Sequence, residues 1–307
     1  MLTREGVANQ RHEEWQADSL LMDALGLARH QTMAYLFQEA PTFAEFEDWI
    51  VTTAGKPSKA LVERINAELG ATNEPALAKE WQESIEQGEP VLGDEELECW
   101  EVNGYTIVKS AISRENCDAT AKVIWDYVNA DPDDPASWYQ GADHGMMVEL
   151  IQHPVLQANR QCDRILKAFA QLWKTTKLWV SADRCSFHPP QTNDCPFPGP
   201  DLHWDIDFDA PLGFATQGLL YLADTPAEQG ALTVVPGFQH KLKTWLQTLP
   251  ENSDPNAMDL HALGPVPIAG EAGDLVIWHH FLPHGSRPNL GTRPRLVQYI
   301  NMNPGLA

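Results

Sequence analysis

Residues 201–209 read DLHWDIDFD, one histidine and four acidic residues alternating with apolar ones. If they run as a β-strand, successive side chains face opposite sides. Asp201, His203, Asp205, Asp207 and Asp209 then share one face, and Leu202, Trp204, Ile206 and Phe208 share the other. One face is apolar and the other can hold a cation. A His-x-Asp pair is too small a ligand set on its own, so a further ligand is sought on a later strand. The segment GDLVIWHHFLPHGSRPN offers His284, 284 − 203 = 81 residues on, enough chain to go around a barrel and return. Two imidazoles and one carboxylate, from His203, Asp205 and His284, would cover one face of an octahedral iron(II) and leave the other open to reactants.

If the reactant is 2-oxoglutarate, its 2-oxo group and adjacent carboxylate chelate the metal and its far carboxylate needs a cationic anchor. Arginine suits that task, because its planar fork matches a carboxylate and its charge survives burial. Arg295 opens RLVQYINM, 295 − 284 = 11 residues past His284, and Arg293 two positions earlier is the alternative. Ser286 could add a hydroxyl donor, and Gln217, at the start of TQGLLYLAD, is a polar inward-facing residue that could touch the same co-substrate. Arg184 and His188 lie at even spacing on LWVSADRCSFH and so share a face that could reach a substrate pocket. Asp207, on the face of His203, either orients a metal ligand or meets a substrate amine. His240, His279 and His280 read as hydrogen-bonded rim or core residues.

These residues need a scaffold. From about Glu14 to Gly70 the chain reads as helices, among them TFAEFEDWI with Thr42 and Glu45 placed for a capping box, and SKALVERINAEL and ALAKEWQESIEQG each close on glycine. GDEELECWEVNGYTIVK reads helix, turn, strand, and a further helix follows. Beyond Lys174 short β-rich runs alternate with Pro- and Gly-rich loops, the texture of an antiparallel sandwich or jelly roll. The expected class is mainly β with flanking helices (α+β), with a helical extension over 1–92 and the catalytic domain over 93–307.

The chain carries 21 Lys plus Arg against 43 Asp plus Glu, a formal charge of −22, which repels nucleic acid and anionic membrane surfaces. Five cysteines without a C-x-x-C pair suggest a reducing, cytoplasmic compartment. The N-terminus has no apolar signal core, and no run is long and apolar enough to span a bilayer. The expected partner is a small-molecule substrate, with no nucleic acid and no membrane.

HWDID, EQGALTVVPGFQH and GDLVIWHHFLPHGSRPNLGTRPR resemble the signature segments of the phytanoyl-CoA dioxygenase family, and the likeness runs from about Gly93 to the C-terminus. The resemblance implies a double-stranded β-helix, cupin-like, and iron(II)- and 2-oxoglutarate-dependent hydroxylation of an unactivated C–H bond by O2, releasing succinate and CO2. It assigns the metal to His203, Asp205 and His284 and 2-oxoglutarate to Arg295, with Ser286 as a helper. Arg287 stands where many relatives have glycine, and PGFQH replaces PGSH. Asp205 itself argues against the halide-binding variant of such sites. Two rival readings are a jelly-roll metal protein with isomerase or hydrolase activity and a non-catalytic binding protein on the same scaffold.

Overall fold

The computed structural model describes residues 4–140, 146–251 and 253–306. Its first strands are β1 (Tyr105–Val108), β2 (Met147–Val148), β3 (Leu178–Val180), β4 (Cys185–His188), β5 (Thr216–Tyr221) and β6 (Leu232–Val234). They are followed by β7 (Val266–Ile268), β8 (Leu275–His279), β9 (His284–Gly285), β10 (Arg295–Tyr299) and β11 (Met302–Pro304). The chain divides into two compact units. One takes Met1–Pro90, Ile151–Asp183 and Met302–Ala307, and the other Val91–Leu150 and Arg184–Asn301.

The first unit is helical. Thr42 caps the helix Phe43–Ala54 with the reciprocal pair expected from its spacing: its hydroxyl accepts from the Glu45 N–H at 3.4 Å, and its own N–H donates to the Glu45 carboxylate at 2.7 Å. Ser58 caps Lys59–Glu68 by the simpler one-way bond, its hydroxyl accepting from the Leu61 N–H at 3.1 Å. Leu20, Ile65 and Trp179 form a small buried cluster, with the Arg64 guanidinium 3.7 Å from the Trp179 ring centroid. The ribbon β3–β11 completes the unit.

The second unit opens on the helix Asp94–Asn103, which Gly104 ends in the left-handed conformation at φ +77°, as the Asn-Gly pair implied. A six-stranded sheet in the order β1-β8-β5-β10-β4-β2 and a three-stranded sheet in the order β7-β6-β9 follow. Every pairing is antiparallel. Leu219, Tyr221, Val276, Trp278 and Val297 of the larger sheet share one core cluster with Leu232, Val234 and Ile268 of the smaller. Tyr221 ties the two together: its hydroxyl donates to the Ile268 carbonyl at 2.7 Å and accepts from the Leu232 N–H at 3.0 Å. With helices beside antiparallel sheets, the chain is α+β. None of the described helices is long and apolar enough to cross a membrane.

The strand expected over 201–209 does not form. Only His203 pairs with a strand residue, exchanging two backbone hydrogen bonds with His284 at 2.8 and 2.9 Å. The Asn256 side chain takes the Trp204 N–H and carbonyl, and Asp207 turns the chain by accepting from the Asp209 N–H. The alternation still holds in burial, with Leu202 and Trp204 buried and Asp201, Asp205, Asp207 and Asp209 exposed. LWVSADRCSF is likewise two strands, β3 and β4, so Arg184 lies outside β4 and shares no strand face with His188.

Candidate metal centre

The backbone bridge between His203 and His284 sets the centre. Gly285 makes that bridge possible, since a β-carbon there would collide with the Asp201 carbonyl. The core indole of Trp204, whose N–H donates to the Phe281 carbonyl at 2.8 Å, anchors the opposite side of the His-x-Asp segment.

On this frame the ligating atoms of His203, Asp205 and His284 converge to within 4.8 Å of one another. His203 Nε2 stands 3.5 Å from Asp205 Oδ1, and His284 Nε2 stands 3.3 Å from Asp205 Oδ2. Each imidazole is oriented from behind: His203 Nδ1 lies 2.7 Å from the Asp201 carbonyl and His284 Nδ1 lies 3.1 Å from the Leu282 carbonyl. A carbonyl only accepts, so each Nδ1 carries a proton and Nε2 is the atom that each ring turns toward Asp205. His203 first, then His284, holds the Asp205 carboxyl well below the usual carboxylate range, and the Asp205 hydrogen bond raises the His203 pKa. Two imidazole Nε2 atoms, each able to give up its proton to a metal, and an anionic oxygen within one small volume fit a divalent cation with open positions.

Arg295 is 0 % exposed. Its Nη1 donates to the Gly230 carbonyl at 2.6 Å and to Ser286 Oγ at 3.0 Å, and its Nη2 donates to Ser186 Oγ at 3.2 Å and Met146 Sδ at 3.1 Å. Among the described residues its Nε has no partner and no carboxylate neutralises it. A buried guanidinium in that state is costly, and an incoming carboxylate would relieve it. Arg293, by contrast, is exposed and donates to the Pro132 carbonyl at 2.8 Å.

His188 lies directly opposite Arg295 in the β4–β10 register and is 2 % exposed, with neither ring nitrogen partnered among the described residues. Burial first, and then the Arg295 charge, pushes its pKa down to about 3, so the ring is neutral. Glycine at 230 makes room for it, because a β-carbon would come within 2.6 Å of His188 Nδ1. A cavity of about 260 Å³ adjoins it, lined among others by Trp138, Met146, Phe187 and Phe197.

The remaining candidates go elsewhere. Gln217 gives its amide N–H to Asp205 Oδ2 at 2.7 Å, so it meets a metal ligand rather than standing free for the co-substrate. Arg184 pairs with Glu149 at 3.5 Å, and Asp207 caps its own turn, touching neither a ligand nor an arginine. His279 Nδ1 accepts from the Phe281 N–H at 3.0 Å, and His280 Nε2 lies 2.7 Å from the Gly213 carbonyl. Ser186, Met146 and Trp278 were missed. Ser186 alternates with His188 on CSFH and was open to a period-two reading, whereas Met146 and Trp278 carry no sequence signal for their contacts.

The family model for phytanoyl-CoA dioxygenase matches residues 100–297. A Dictyostelium discoideum protein provisionally named phytanoyl-CoA dioxygenase is 23 % identical, over 67 % of this chain and 74 % of its own. Among solved structures, the non-heme alpha-ketoglutarate-dependent epimerase SnoN of nogalamycin biosynthesis superposes with a TM-score of 0.50 at 16 % identity, over 69 % of this chain and 82 % of its own. The carbocyclase SnoK from the same biosynthesis gives 0.48 at 17 % identity, over 71 % and 87 %.

Proposed function

The chain belongs to the phytanoyl-CoA dioxygenase family of iron(II)- and 2-oxoglutarate-dependent oxygenases, and on that premise we propose that it hydroxylates a C–H bond of a small organic substrate. The two facing antiparallel sheets of the second unit are then the halves of a double-stranded β-helix, or jelly roll. His203, Asp205 and His284 hold the iron. When bound, iron and 2-oxoglutarate turn O2 and the substrate R–H into R–OH, succinate and CO2.

The observation that carries the reading is Arg295, a buried cation with no carboxylate partner among the described residues, joined through Ser286 to the β9 segment that bears His284. Arg295 and Ser286 bind the far carboxylate of 2-oxoglutarate by charge-assisted hydrogen bonds. His188, neutral beside Arg295, can add one hydrogen bond without a second positive charge. The aromatic and proline side chains next to it give the cavity a largely apolar wall. Five cysteines without a C-x-x-C pair are consistent with a cytoplasmic setting.

Anaerobic titration of the metal-free protein with iron(II) and then 2-oxoglutarate tests this, through the weak visible charge-transfer band of the chelate. Wild type develops the band. Arg295→Ala needs at least ~30-fold more 2-oxoglutarate, as expected when a buried charge pair loses one member. Iron binding without a band in wild type would sink the assignment.

A further inference from the structure

We propose that Gln217 is a positioning residue that holds the Asp205 carboxylate in its ligating orientation, and that Trp278 decides which way Gln217 points. The inference rests on the reading of His203, Asp205 and His284 as a metal site. Gln217 and Trp278 are direct partners in the β5–β8 register. The Trp278 indole N–H donates to Gln217 Oε1 at 3.0 Å. An indole can only donate, so the amide oxygen must face it. The amide N–H group then faces Asp205 and donates to Oδ2 at 2.7 Å. Trp278 cannot swing away, being 2 % exposed within the core and packed 5.2 Å from the His284 ring centroid.

Asp205 needs such a partner. It lies on a segment that forms no strand, and its side chain is 58 % exposed, the most exposed of the three ligands. Among the described residues its carboxylate meets the two imidazoles and Gln217. An ion would replace the imidazole contacts, and Gln217 would be the hydrogen bond that remains. With Oδ2 engaged by the amide, Oδ1 is left to the metal, so ligation by a single oxygen is favoured and the open positions stay open. Fixing the carboxylate before the ion arrives also removes rotamer freedom that binding would otherwise have to quench.

The test is metal affinity alone, measured on the full chain by anaerobic iron(II) titration of tryptophan fluorescence, without co-substrate. Four proteins are compared: wild type, Gln217→Met, Trp278→Phe and the double variant, each with its melting temperature. Gln217→Met should weaken iron binding ~10–100-fold, the usual cost of losing an outer partner of a ligand. Trp278→Phe should weaken it less, and the double variant should match Gln217→Met within about 2-fold, because the indole acts only through the amide. If Gln217 merely satisfied the indole, melting temperatures would fall while iron affinity stayed at the wild-type value, and that result would overturn the inference. Losses that multiply in the double variant would also overturn it. Should Gln217→Met not fold, Gln217→Asn, too short to reach both partners, carries the same comparison. Wild type that binds no iron defeats the metal reading itself, whereas wild type that binds it beside unaffected variants defeats only this proposal.

Discussion

His188 shows how a single residue can record its surroundings in the pH dependence of the whole protein. Its folded pKa, pushed down to about 3 from 6.5, means that folding favours the neutral ring. The unfolded chain takes up the proton first as pH falls, so the contribution is complete above about pH 6.5 and is lost progressively toward pH 3. Between about pH 7.5 and about pH 5, wild type should lose about 2 kcal/mol more unfolding free energy than His188→Gln in urea titrations. Equal losses would show that the ring is protonated in the fold. At this scale the site was largely legible, because the spacing of His203, Asp205 and His284 is itself the chemistry. Choosing Arg295 over Arg293 required burial and the start of β10, which two basic residues at even spacing do not reveal. The link from Trp278 to Gln217 required the register of two strands, which no local pattern encodes. Arg184 and Asp207 were misplaced because period two was carried past the ends of real strands.

At the scale of elements, the bridge between the His203 segment and β9 depends on the glycine between His284 and Ser286. Gly285→Ala should drive the Asp201 backbone away, lower stability by roughly 1–3 kcal/mol and weaken iron binding, read by thermal melts beside iron titration. A variant that melts and binds like wild type would mean the two segments are not in contact as described. Helices were the most legible elements, since Thr42, Ser58 and the Asn103-Gly104 pair announce their ends through local chemistry. Strands were visible as β-rich runs, but their breaks were not. Residues 201–209 keep the burial rhythm of a strand while the Asn256 side chain and the Asp207 turn take the hydrogen bonds a neighbouring strand would have made. Sequence rhythm reports which side of a segment meets the core, and hydrogen-bond partners decide whether it is a strand.

For the whole molecule, the formal charge of −22 opposes the approach of a dianion such as 2-oxoglutarate. The association rate, followed by the growth of the charge-transfer band in stopped flow, should therefore rise ~3-fold or more as sodium chloride goes from ~10 to ~150 mM, while the Debye length shrinks from ~30 to ~8 Å. A rate that falls with added salt would show that the local field around Arg295 dominates. The grouping of Ile151–Asp183 and Met302–Ala307 with the N-terminal helices was not legible, because periodicity marks a helix without naming its packing partner. The His203–His284 bridge also bears on the life of the chain. Two imidazoles 81 residues apart, held on paired backbone positions, make any ion they grip a reversible cross-link over that length. An ion that binds only this folded arrangement stabilises it by mass action, by about 2.7 kcal/mol when free ion is about 100 times its dissociation constant. Iron supply would then govern how long the protein survives proteases as well as how fast it turns over.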